Sequence, residues 1–382
     1  MTKEEYRKNM DEVIYLVSCA VNGVTPDKER VKKINLPGLY QAADKHMITS
    51  IIAFALESAG IYDPAFTQAK GKAIRKVAAM DIDKALLFEK LEKEKIWYMP
   101  LKGTVIKDLY PSFGMRQMSD FDILFDSSYN NKIKEIMLDL GFTTEHFDEG
   151  NHDVYYKQPV SNFEMHTGLF SPKQQQEIYH YYQDVKSRLI KDDDNQYGYH
   201  FSNEDLYIYI TAHEYKHFSS GGTGLRSVLD TYLFMKKYGD QLDYDYIAAE
   251  TEKLGIREFE QSNRRLAVNL FGGKKLTDED QKMLEYIISS GTYGTLVNSV
   301  QNRLNKYGNG KTAKAKYIIH RLFIPMEDIK VHYPFFYKHK ILLPVLFFYR
   351  IGKSLTKGKI KTKTELKYLW KKNEDERSKN YK

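Results

Sequence analysis

The sequence predicts an α+β protein, with a small mixed sheet flanked by an N-terminal helical region and a larger C-terminal helical one. Three observations carry this reading. Apolar residues recur at helical spacing up to residue 93 and again from residue 201. Between those stretches lie short runs with strand alternation, clearest in Ser119-Asp120-Phe121-Asp122-Ile123-Leu124-Phe125. The apolar share, 42% of 382 residues, is ordinary for a globular chain and sufficient for a large core in one to three domains.

In the N-terminal region (1–93), residues 3–21 form an amphipathic pattern with Val13, Ile14, Leu16 and Val17 on its apolar side. A loop with Pro26 follows, then helices over 36–59, ending at Gly60, and 67–93. The α/β core (94–200) opens with a buried strand at 96–101 and a short helix at 104–110. A strand at 120–126 and a helix at 130–140, stopped by Gly141, come next. Strand-like runs at 142–147, 154–158 and 162–169 precede a helix at 174–189 and a polar loop at 191–198. The C-terminal domain (201–349) starts at Ser202-Asn203-Glu204-Asp205, a helix-start pattern. Its first helix runs to His217, Ser-Gly-Gly-Thr-Gly breaks it, and 225–238 forms the next. Further helices fall near 244–254, 256–270, 278–289, 292–305 and 312–323. Within the aromatic stretch 333–350 around Pro344, residues 341–349 read as part of a buried helical hairpin, with a resting place on a membrane surface, helped by the basic tail, as the alternative.

The net charge is +7. A basic tail (350–382) holds twelve Lys or Arg against four Asp or Glu, so the rest of the chain is close to neutral. A polyanion-binding body is therefore not expected, while the tail can make weak polyanion or membrane-surface contacts. The single cysteine, Cys19, excludes an intrachain disulfide and a cysteine-based zinc cluster. Acidic residues precede the first apolar run, which is wrong for a secretory signal, and no run is long enough for stable membrane insertion. A cytoplasmic location is expected.

Asp120 and Asp122 stand one residue apart, a spacing that puts both on one face of a strand and Phe121, Ile123 and Phe125 on the other. Two like charges side by side destabilise a sheet unless a cation joins them. A hard cation suits such a pair: Mg²⁺ takes one or two carboxylates together with substrate phosphate oxygens. Upstream, Lys102-Gly103-Thr104 sits between a strand and a helix. The glycine permits close backbone approach, the helix start offers N–H groups to phosphate, and Thr104 adds a hydroxyl.

This order of strand, Gly-Thr, helix and Asp-x-Asp resembles the DNA polymerase β-like nucleotidyltransferase superfamily. More closely, Leu-Lys-Gly…Tyr-Pro…Arg…Ser-Asp-Phe-Asp-Ile-Leu resembles the bacterial group of uncharacterised nucleotidyltransferases. The likeness continues through Glu-Met-His-Thr-Gly-Leu from Glu164, Ala-His-Glu-Tyr-Lys-His from Ala212, Gly-Leu-Arg-Ser-Val-Leu-Asp from Gly224 and the aromatic stretch from Tyr333. Thr104 stands where Ser is commoner, and the gap from Gly103 to Asp120 is longer than in the wider superfamily. The resemblance implies a nucleotidyltransferase sheet and transfer of a nucleoside monophosphate from an NTP such as ATP to an acceptor hydroxyl, with Mg²⁺ or Mn²⁺. It implies that Glu164 joins Asp120 and Asp122 at the metal and acts as base, with His166 as neighbour or substitute. Lys102, Gly103, Thr104, Arg116, His213, His217 and Arg226 would then line the nucleotide cleft. Asp230 would pair with Arg226 one helical turn away. The acceptor, whether small molecule, sugar, RNA end or protein, is not readable.

Two other readings follow from the residues. A nucleotidyltransferase-like scaffold would bind NTP without turnover. His213-Glu214-Tyr215-Lys216-His217 matches the zinc-peptidase pattern H-E-x-x-H. Against that stand the charged Lys216 inside the motif and the helical surroundings, which offer no strand edge to hold a peptide.

Overall fold

The computed structural model describes residues 1–148, 150–172, 176–305, 307–308, 310–356 and 363. Five strands form one mixed sheet in the order β1-β2-β5-β4-β3. They are β1 (Tyr98–Leu101), β2 (Phe121–Phe125), β3 (Thr143–His146), β4 (His152–Lys157) and β5 (Ser161–His166). β2 and β5 run parallel, and the remaining pairs are antiparallel. A two-stranded hairpin, β6 (Ile190–Lys191) and β7 (Tyr199–His200), lies beside β1, where Tyr98 N–H donates to Tyr197 O at 3.0 Å. The expected polar loop (191–198) connects these two strands, which are too short to show alternation in the sequence.

Strand alternation splits the sheet into two faces. Phe121, Ile123, Phe125, Phe163, Met165 and Tyr155 point one way and are buried against Val77, Met80, Leu87 and Leu91 of the helix Pro64–Lys93 and Ile133, Ile136 and Met137 of the helix Asn130–Asp139. The other face carries Asp122, Glu164 and His166, with Asp122 opposite Glu164 and His152 opposite His166 in register. Leu101 and Leu124 join the larger core that unites the N-terminal helices with the C-terminal ones. The expected fold class is the observed one.

Two expected helices break. The stretch 36–59 is two helices, Leu36–Lys45 and Thr49–Ser58, separated at Met47, whose φ is 54°. The break serves His46, which is fully buried: Nδ1 accepts from Leu225 N–H at 3.0 Å. Nε2 therefore carries the proton and donates to the Tyr6 hydroxyl at 2.9 Å, which donates to Ile288 O at 3.0 Å. Of the expected helix 174–189, the described residues are α-helical over Gln176–Tyr181, followed by a tight turn at Val185–Arg188.

His46 makes stability depend on pH. Burial, and then Lys45, push its pKa from 6.5 down to about 4. The unfolded state binds the extra proton first, so this contribution is whole above pH 6.5 and is lost as pH falls toward 4. Urea melts at about pH 7 and about pH 5 are expected to show about 2 kcal/mol more acid loss in wild type than in His46→Gln. Equal acid loss in the two proteins would contradict this.

The stretch 333–350 is helical, as expected, but not buried as a whole. Ile341, Val345, Phe348 and Tyr349 are exposed while Leu346 packs inward. No helix among the described residues is long and apolar enough to cross a membrane. Apart from residues 350–356 and 363, the expected basic tail lies outside the described residues.

Candidate active site

β1 is followed by Lys102, which adopts φ 47° and ψ −126°, an uncommon backbone state for a residue with a side chain. The turn swings its ammonium onto the acidic face, where Nζ donates to Asp122 Oδ1 at 2.6 Å. His166 Nε2 lies 2.8 Å from the same oxygen and 3.5 Å from Glu164 Oε2. His152 stacks on His166 with ring centroids 5.0 Å apart and reaches Glu164 Oε2 at 3.8 Å. One ligand atom each from Asp122, Glu164 and His166 can be chosen with all three within 4.8 Å of one another, a spacing that could hold a metal ion.

Asp120 is not on the strand, because β2 begins at Phe121. It still faces the same cleft, but from the loop before the sheet. No described residue hydrogen-bonds or ion-pairs with its carboxylate. Burial, then the charges of Asp122 and Glu164, push its pKa up to about 6. Asp122 goes the other way: burial opposes ionisation, but Lys102 and His166 outweigh it and hold the carboxyl well below the usual range.

Thr104 is buried and turned to β2. Its hydroxyl accepts from Asp122 N–H at 3.0 Å, so it fixes the strand that presents Asp122 instead of opening to the cleft. Gly103 does line the cleft, and a Cβ there would collide with the Arg116 guanidinium. Arg116 is committed: Nε and Nη2 donate to Asp230 Oδ1 and Oδ2 at 2.9 and 2.7 Å, and Tyr110 OH donates to Oδ1 at 2.7 Å. Asp230 is therefore the partner of Arg116, not of Arg226 as the helical spacing suggested. Arg226 instead donates from Nη1 to Gln117 O at 2.8 Å.

The far wall is the helix Asn203–Ser220. His213 and His217 share its cleft face, with their Nε2 atoms 3.3 Å apart. Burial, followed by nearby lysine and imidazole charge, pushes both below the ordinary histidine value, His217 to about 4. Lys216 joins them, its pKa lowered to about 8 by burial and then Lys102. The Glu214 carboxylate is engaged by Asn263 Nδ2 at 2.8 Å and the Thr231 hydroxyl at 3.2 Å. Among the described residues no third ligand joins His213 and His217, so the zinc-peptidase geometry does not form. The cleft between the walls measures about 480 Å³, within the range of small-ligand sites.

Residues 32–272 match the model of a family described as uncharacterised nucleotidyltransferase. The chain belongs to this family. The nucleotidyltransferase match spans the whole sheet, the acidic face and the His213 wall. Among solved structures, an antigenic nucleotidyltransferase-like protein from Paracoccidioides brasiliensis aligns at 12% identity and a TM-score of 0.34, over 51% of this chain and 94% of that one. No curated protein matches.

Of the expected site residues, the structure brings Lys102, Gly103, Arg116, Asp120, Asp122, Glu164, His213, His217 and Arg226 to one cleft, and leaves Thr104 behind it. His152 and Lys216 were not anticipated as site residues. His152 owes its place to the register of β4 on β5, which no local pattern encodes. Lys216 was visible, three residues after His213 and hence on the same helical face.

Proposed function

We propose that this nucleotidyltransferase-family protein transfers a nucleoside monophosphate from an NTP to an acceptor hydroxyl, releasing pyrophosphate. The observation that supports it best is the convergence of Asp120, Asp122 and Glu164 on one cleft that is also lined by Lys102, Lys216, Arg226, His213 and His217. The donor set fits a hard divalent cation. Asp122 and Glu164 each offer an oxygen within 4.8 Å of the other and of His166, and the Asp120 carboxylate, which has no hydrogen-bond or ion-pair partner among the described residues, faces the same cleft. Mg²⁺, with Mn²⁺ as substitute, would be held by the three carboxylates and when bound would neutralise charge on the phosphate oxygens.

The chain's own residues do the rest. Lys102, Gly103 and Arg226 face the triphosphate. Arg116 and Thr104 act through others, by fixing Gly103 and Asp122. In the balanced reaction the acceptor oxygen bonds to the α-phosphorus, the bond to the bridging oxygen breaks, and pyrophosphate leaves with that electron pair. Glu164, partly buried with the imidazoles of His166 and His152 at 3.5 and 3.8 Å from Oε2, takes the acceptor proton. His213 and His217 are neutral at pH 7 and offer ring nitrogens to the nucleotide or acceptor without adding charge.

Glu164→Gln is expected to lower pyrophosphate release by about 10²- to 10⁴-fold, with Mg²⁺-dependent NTP binding weakened less than in Asp122→Asn. Unchanged turnover in the Gln variant would remove Glu164 from the reaction.

A further inference from the structure

The last helices expose an apolar face that the catalytic reading does not use. Ile341, Val345, Phe348 and Tyr349 recur at helical spacing along the turn Lys340–Leu342 and the helix Leu343–Thr356. Ile341 is 89% exposed and Phe348 70% exposed, while Leu346 on the opposite side is buried. A second stripe lies at the end of the helix Gly310–Leu322, where Ile319, Leu322 and Phe323 are exposed. The two stripes meet: Phe323 stacks on Phe347 at 5.3 Å, and Arg350 donates to the carbonyls of Leu322 and Arg321, each at 2.9 Å. Single exposed apolar residues are ordinary, but a contiguous set of this size marks an interaction surface.

Charge decides what covers it. Residues 310–356 carry nine Lys or Arg against two acids, Glu327 and Asp328. A second copy would bring the same positive charge to the same face. Nucleic acid would match the charge but leave isoleucine and phenylalanine in water. An anionic bilayer satisfies both, since apolar side chains enter the headgroup boundary and lysines meet the phosphates. We propose that this helical face docks on the surface of an anionic phospholipid bilayer, with Phe323, Ile341, Val345 and Phe348 entering the interface and Lys338, Lys340 and Lys353 on the headgroups. The helices lie on the membrane and do not cross it.

The test is flotation of the full chain with vesicles of phosphatidylcholine alone and of phosphatidylcholine mixed with phosphatidylserine. Wild type is expected to float with the anionic vesicles only, and added salt to release it. Ile341→Ser/Phe348→Ser is expected to weaken partitioning by about tenfold or more without changing the melt, because both side chains are exposed. Lys338→Glu/Lys340→Glu is expected to weaken it through charge alone. Absence of flotation with anionic vesicles, or equal flotation of the serine variant, would overturn the proposal. So would a dimer in light scattering that the serine variant dissociates, which gives the face to a second copy. A lowered melt in the serine variant would also overturn it, by giving the face to residues of the chain's own C-terminus.

Discussion

Asp122→Asn is expected to lower nucleotidyl transfer by about 10³-fold or more. Asn keeps the volume and the register opposite Glu164 but removes the charge on which Lys102 and His166 converge. The carboxylate lies opposite Glu164 in register and its charge is felt by Asp120, so its loss is expected to weaken cation binding more than the loss of either neighbour. The same change strips Lys102 of its ion-pair partner in a buried site and costs about 3 kcal/mol of stability. Pyrophosphate release and a urea melt on the same preparation separate the two effects. A folded variant that turns over like wild type contradicts the metal assignment.

Breaking the Arg116–Asp230 pair is expected to cost about 3–5 kcal/mol of stability, the largest single effect outside the apolar core. Both groups are buried, the pair is bidentate, and Tyr110 adds a third hydrogen bond. Arg116→Ala leaves Asp230 charged, buried and served by Tyr110 alone. It also frees the space over Gly103, so the strand-to-helix turn that faces the cleft loses its backing. Urea unfolding of Arg116→Ala and Asp230→Asn should give similar losses, with strong non-additivity in the double variant because one interaction is removed twice. A loss below about 1 kcal/mol in either single variant would show that the pair is not what joins the sheet to the helix Leu225–Tyr238.

What was legible in the sequence was local. Alternation in Phe121–Phe125 correctly sent Phe121, Ile123 and Phe125 to the core and Asp122 to the opposite face. The strand-like run expected at 162–169 is β5 in its first part, and its alternation puts Glu164 and His166 together. Spacing misled at Asp120, because alternation holds only where the strand has begun. Arg116 finds its partner 114 residues away, a pairing fixed by how the helical domain packs on the sheet. Helical spacing offered the nearer Arg226 instead. The break at Met47 has the same origin, since His46 must meet both Tyr6 and Leu225, which are far apart in the sequence. At the C-terminal end apolar content suggested burial, whereas the fold leaves one helical face uncovered.

The most direct test of the central claim is calorimetric titration of each NTP, with and without Mg²⁺, into wild type and Asp122→Asn. The account predicts Mg²⁺-dependent binding of at least one NTP to wild type and its loss in the variant. Nucleotide binding that is indifferent to Mg²⁺, or equally strong in folded Asp122→Asn, would contradict it.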